Sequence, residues 1–175
     1  MTRANIDVNE LSVEPTAIWK DSWLLLTSGN LKDGLFNTMT VGWGSLGVMW
    51  KKPFVQVVVR PGRYTYEFME NYPDFTLCAL PDDFRNTMSL MGSISGRFKD
   101  KIAESGLTPL ASLRVGSPSF EEAELILECK TMYRDRIKPE NFYDDSLEMN
   151  YPLKDYHVVY FGEILRATGV SKYQR

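Results

Sequence analysis

Residues 42–47 read GWGSLG, a literal G-x-G-x-x-G, the spacing that lets a backbone close around a dinucleotide pyrophosphate. That chemistry needs a loop that leaves a strand and opens a helix, because the anion sits on the helix N-terminus. Here VMWKKPFVQVVVR follows. Pro53 interrupts any helix begun at Gly47, and the run beyond it is β-branched. The match is a decoy. It reads instead as a strand ending in a Gly-rich β-turn, where glycine permits positive φ and close backbone approach.

Other stretches carry groups that suit a flat, phosphorylated heterocycle. FNTMTVGWG places Asn37, Thr38 and Thr40 beside Met39 and Trp43. Amide, hydroxyl and backbone groups at a strand edge can read the carbonyl and imide rim of a ring, while Met and Trp cover its face. Arg60 ends a β-branched run, and Arg63-Tyr64-Thr65 opens a helix just after the Pro61-Gly62 break. Two guanidinium groups, a hydroxyl and free backbone N–H groups then meet at one helix entry, an arrangement that suits an anion. A second Ser-Gly-basic stretch, Ser95-Gly96-Arg97-Phe98-Lys99-Asp100-Lys101, again precedes a helical segment.

The elements that must position these groups are mostly strands. Residues 16–27 read as strand with a turn at 28–30, and 34–43 alternate in a β-prone pattern. Residues 54–60 form a buried strand, 64–71 a short helix and 74–80 another strand. Asp82-Asp83 can cap a helix through about Leu90, and KDKIAESG reads as a shorter helix ended by Gly106. Residues 123–136 are long and β-compatible, 139–150 form a helical excursion, and 156–167 close the chain as a strand. There is no βαβ alternation and no repeat. A closed or nearly closed antiparallel barrel with peripheral helices fits this order.

Composition narrows the chemistry. The chain has one histidine, His157, which excludes a histidine-rich metal centre and H-E-x-x-H; no metal site is expected. No G-x-S-x-G elbow accompanies that histidine, so a serine triad has no frame. At 175 residues and 43% hydrophobic, the chain can bury the core of one domain. A net charge of −3 offers no basic field for nucleic acid. No apolar run approaches the ~20 residues of a membrane span. The N-terminus lacks a signal-peptide segment, and Cys78 and Cys129 sit in strand-like apolar contexts as buried thiols. A soluble, cytoplasmic protein is expected.

FNTMTVGWGSLGVMWKKP, VVVRPGRYTYEF, FTLCALP, SGRFKDK with SGLTP, and DYHVVYFGEI occur in an order that resembles the flavin reductase-like, FMN-binding split-barrel family, especially its flavoredoxin-like branch. The resemblance covers about residues 20–167. It implies a six-stranded antiparallel split β-barrel with Greek-key character, acting as a homodimer with FMN near the dimer interface. It implies that Asn37, Thr38, Met39, Thr40 and Trp43 line the isoalloxazine and ribityl chain. Arg60, Arg63, Tyr64 and Thr65 would lie along the ribityl phosphate, and Ser95, Gly96, Arg97 and Lys101 would complete its pocket. His157 matches a histidine that stands near the nicotinamide side of the flavin in related reductases. Two functions follow from the resemblance. One is an NAD(P)H-dependent flavin or FMN reductase with NADH or NADPH as transient co-substrate. The other is an FMN electron carrier reduced by a redox protein partner. A split barrel whose FMN is lost or replaced, for example by haem, is a third reading. WGSLGVMWKKP departs from the Ser-rich, Pro-Pro loop of the best-known reductases, so their substrate-side contacts do not transfer. Residues 138–152 are an insertion-like excursion expected near the flavin.

Overall fold

The structure, a computed structural model, describes residues 2–175. Ten strands, three α-helices and several short helical turns follow in order. The strands are β1 (Ala4–Ile6), β2 (Leu24–Asn30), β3 (Leu35–Val41), β4 (Gly44–Met49), β5 (Lys52–Val59), β6 (Asp74–Ala79), β7 (Pro109–Leu110), β8 (Ser119–Phe120), β9 (Leu125–Arg136) and β10 (Val158–Gly169). The helices are α1 (Tyr64–Asn71), α2 (Arg85–Ser93) and α3 (Lys101–Ser105). β7 and β8 pair with each other, and the other eight strands form one sheet.

The sheet runs β3-β2-β6-β9-β10-β5-β4, and every pairing is antiparallel. β3 and β4 stand at its two ends, yet only Gly42 and Trp43 separate them in the chain. Three Cα–Cα steps span at most ~11 Å, so the sheet must curl until its edges nearly meet. The result is a split barrel, and GWGSLG is its seam. β10 makes the curl possible. Its N-terminal half pairs with β5, its last three residues pair with β1, and two bulges bend it against β9.

Alternation of side chains builds two cores. Leu24 and Leu26 of β2, Leu77 of β6 and Leu127 of β9 face the barrel interior with Val55, Val57, Phe75 and Tyr160. Leu25, Cys78 and Ile126, one residue out of phase, face outward and are covered by Met88 and Met91 of α2 with Leu107 and Phe120. The central strands are therefore buried on both faces, which explains their continuous apolar runs.

Several expectations are corrected. Residues 16–27 are not one strand. A π-helical turn over Ile18–Ser22 precedes β2, and Trp23 between them has φ 58°. No turn lies at 28–30, since β2 runs through Asn30 and the chain reverses over 31–34. Residues 44–49 form a strand rather than a turn, and the reversal comes at Trp50 and Lys51, with φ of 52° and 63°. The barrel accordingly gains β4 and the short β1 beyond the six expected strands. The Asp82-Asp83 carboxylates cap nothing: a 3-10 turn over Asp82–Phe84 leads into α2 without a side-chain cap. The excursion contains two 3-10 turns, Pro139–Asn141 and Asp145–Asn150.

Candidate flavin-binding site

Two recesses meet along β3. The smaller, about 80 Å³, is lined by Asn37 and Met39 of β3, by Arg63, Tyr64 and Thr65 at the start of α1, by Ser93 to Gly96 at and beyond the end of α2, and by Lys101. The sequence builds it by putting two helix ends against one strand. Pro61-Gly62 stops β5 and releases Arg63 as the N-cap position of α1, with no side chain capping it. Asn37, buried on β3, donates from Nδ2 to Thr65 Oγ1 at 2.7 Å, locking strand to helix. Gly96 is required here: a Cβ at that position would stand 2.2 Å from Asn37 Oδ1.

The charge in this recess is unbalanced. Lys101 is only 4% exposed and donates from Nζ to the carbonyls of Met91 and Ile94, both at 3.3 Å. Arg63 donates to Gly92 O at 3.0 Å. Neither cation has a carboxylate partner among the described residues. Burial, reinforced by the Arg63 charge, pulls the Lys101 ammonium down to about 8. An anion placed between them would remove that cost.

The larger cavity, about 530 Å³ and open on one side, lies at the seam. Trp19, Lys20 and Trp23 come from the turn before β2, Thr40 and Val41 from the end of β3 with Gly42 and Trp43 just beyond it, Val58 from β5 with Arg60 just after it, and His157 from the approach to β10. Its rims are tied down. The Trp43 and His157 rings lie 5.2 Å apart, and Arg85 stacks on Trp23 at 3.7 Å. Arg60 pairs with Asp155 at 2.8 Å, donates to Asn150 O at 2.7 Å and lies over the Tyr151 ring. His157 is 8% exposed, and its Nδ1 lies 2.9 Å from the Tyr151 hydroxyl. Burial first, and then the nearby Arg60 charge, lower the imidazole to about 4, so it is neutral at physiological pH.

Most of the expected site residues meet here. Asn37, Met39, Arg63, Tyr64, Thr65, Ser95, Gly96 and Lys101 share the small recess; Thr40, Trp43, Arg60 and His157 share the large cavity. Three depart from their expected places. Arg60 lines the larger cavity, where Asp155 and Asn150 O claim its guanidinium. Thr38 faces away: it is fully buried and donates to Leu26 O at 3.1 Å. Arg97 stays outside the recess, turned onto Gly62 O and Glu67 over the Tyr64 ring. Sequence reasoning missed Trp19, Lys20, Trp23, Tyr151 and Asp155.

The flavin reductase like domain model matches residues 22–174. The chain belongs to this family. The flavin reductase-like fold extends over nearly its whole length in solved structures. An FMN-binding domain of a flavin reductases-like enzyme from Shewanella baltica OS155 superposes with a TM-score of 0.70 at 16% identity, covering 96% of this chain and 77% of that one. Flavoredoxin of Desulfovibrio vulgaris (Miyazaki F) gives 0.68 at 22% identity, over 94% and 75%. The NADH:FAD oxidoreductase of Streptomyces globisporus C-1027 gives 0.62 at 16% identity, over 83% and 74%. At these identities the likeness is one of fold.

Proposed function

We propose that this flavin reductase-like protein binds FMN and works as an NAD(P)H-dependent flavin or FMN reductase. One observation carries the reading: a small recess holding a buried, carboxylate-free lysine opens beside a larger cavity walled by tryptophans. The recess suits a phosphate monoester, with Arg63 and Lys101 supplying charge and Thr65 and Ser95 supplying hydroxyls. The cavity suits a planar ring edged by Thr40 and faced by Trp43. Bound FMN would supply the redox chemistry, accepting hydride at N5 and passing electrons on. The chain's own task is to hold and cover. Neutral His157 offers a hydrogen bond rather than a charge at the cavity, and Asn150 O and Asp155 hold Arg60 in its wall. Cytoplasmic residence is part of this reading, supported by Cys78 and Cys129, which are free and buried. Homodimerisation is another part, supported by Val48, Met49 and Trp50, which stand 74%, 37% and 58% exposed at the edge hairpin.

A second reading, an FMN electron carrier reduced by a protein partner, draws on the same region, since Arg60, fixed by Asp155 and Asn150 O in the cavity wall, leaves less room there for a nicotinamide. Purified protein should show a flavin spectrum, and acid should release FMN rather than FAD or haem. Anaerobic mixing with NADH and NADPH should bleach that spectrum rapidly. A flavin that neither nucleotide reduces would leave the carrier; release of FAD as the main flavin, or none at all, would overturn the FMN assignment.

A further inference from the structure

We propose that Tyr151 is a positioning residue that fixes His157 as a neutral imidazole with its proton on Nε2. The two side chains are six residues apart, and both are buried, at 4% and 8% exposure. The Tyr151 hydroxyl lies 2.9 Å from Nδ1, its one hydrogen-bond partner among the described residues. Burial raises this phenol above its ordinary range, so it remains a donor at any working pH. A donor hydroxyl at Nδ1 requires a bare Nδ1, and a neutral ring then carries its proton on Nε2. The opposite tautomer would set two N–H or O–H hydrogens against each other or leave the phenol hydrogen without an acceptor.

Tyr151 is itself held. Phe142 stacks on it at 6.1 Å, and the Arg60 guanidinium lies 5.1 Å from its ring centre. Arg60 also binds the carbonyl of the preceding residue, Asn150, and the carboxylate of Asp155. The charged groups that act on His157 are Arg60 at the end of β5, Asp155 ahead of β10 and Arg63 at the entry of α1. Asp155 is spent on Arg60, so no free carboxylate competes for the imidazole. The excursion over 138–152 thus presets the one histidine of the chain as a single-sense donor at the cavity that it lines.

The bearing of this lock on hydride transfer rests on the function proposed above; the lock itself does not. A single histidine makes the test clean. In protein labelled with nitrogen-15 in the imidazole, the ligand-free form should give one Nε2-protonated tautomer between about pH 8 and pH 5. Tyr151→Phe retains the ring against Phe142 and Arg60, so it should keep the fold and melting temperature while allowing both tautomers. An Nδ1-protonated ring in the parent protein, or an unchanged pure tautomer in Tyr151→Phe, overturns the proposal. In loaded protein, Tyr151→Phe should slow reduction by NADH roughly tenfold at equal flavin content. Added to His157→Ala, it should slow it no further. Full additivity of the two changes would show that Tyr151 acts apart from His157 and would also overturn the proposal. A tautomer that responds as expected, with a His157→Ala variant reduced at the normal rate, supports the lock and removes His157 from the reductase reading.

Discussion

Two titratable side chains define the site at the smallest scale. In the ligand-free fold Lys101 prefers the neutral form above about pH 8, because burial and the Arg63 charge both oppose its ammonium. An incoming phosphate reverses that preference, so the recess takes up a proton as it binds above about pH 8. FMN affinity should therefore fall as pH rises beyond that point, whereas riboflavin affinity should not; titration of each across the range checks it. Arg63→Ala or Lys101→Ala should weaken FMN binding about ten- to a hundredfold, from ~1.5–3 kcal/mol of charge-assisted hydrogen bonding. Lys51→Ala should have no such effect. Equal losses for FMN and riboflavin would assign the two cations to the fold instead. His157 works in the other direction. Its folded value, near 4, lies below the 6.5 of an exposed ring. Between those values the unfolded chain binds the extra proton, so acid destabilises the fold progressively from pH 6.5 down to 4. In His157→Gln that part of the acid loss should vanish from denaturation curves.

At the scale of elements, the seam depends on a glycine that the pyrophosphate pattern explains for the wrong reason. A Cβ on Gly44 would stand 2.5 Å from both the Trp19 ring and Gln56 O. Gly44 lets β4 lie against β5 while the indole passes underneath. Gly44→Ala should cost about 1–3 kcal/mol through forced displacement, read as a melting temperature lower by roughly 2–4 °C per kcal/mol. An unchanged melting temperature would mean that the indole moves freely. The same neighbourhood marks what the sequence could and could not reveal. α1 and β6 were legible because each sits between hard punctuation, Pro61-Gly62 before one and Tyr72-Pro73 before the other. The grouping of the small-recess residues was legible because the two stretches that carry most of them, around Arg63 and Ser95, are each local in sequence. Residues 16–27 were not: apolar and aromatic side chains suggested a strand, but the chain coils over Ile18–Ser22 so that Trp19 can reach Gly44 across the barrel. Asp155 and the Tyr151 ring were equally hidden, since both meet Arg60, roughly ninety positions earlier in the chain, and nothing in the spacing of Tyr151 and His157 marks their hydrogen bond.

For the whole molecule, curling the sheet leaves two strand edges, and they are treated differently. The β3 edge is covered by α2, whose Met88 carbonyl takes the Thr40 hydroxyl at 2.5 Å. The β4 edge ends in the Val48–Trp50 hairpin, where Trp50 leans on Tyr133 and Phe161 and Phe161 stacks on Phe54. An apolar edge of this kind invites pairing. The protein should scatter light as a dimer at micromolar concentration, and Trp50→Lys should shift it to monomer without unfolding it. A parent protein that is monomeric with flavin bound would contradict the homodimer.

The distribution of indoles has an optical consequence. Of four tryptophans, Trp19, Trp23 and Trp43 wall the seam cavity, and Trp50 alone stands at the far hairpin. A flavin absorbs where indole emits, so a ring seated in the cavity drains the excited state of three emitters at contact range. Trp50, beyond the opposite end of β4 from Trp43, is quenched least. Ultraviolet emission should therefore dim steeply as ligand-free protein is titrated with FMN, leaving a residue of light that Trp50→Phe extinguishes. The fold carries its own occupancy meter, and emission that survives saturation undiminished would place the ring somewhere else.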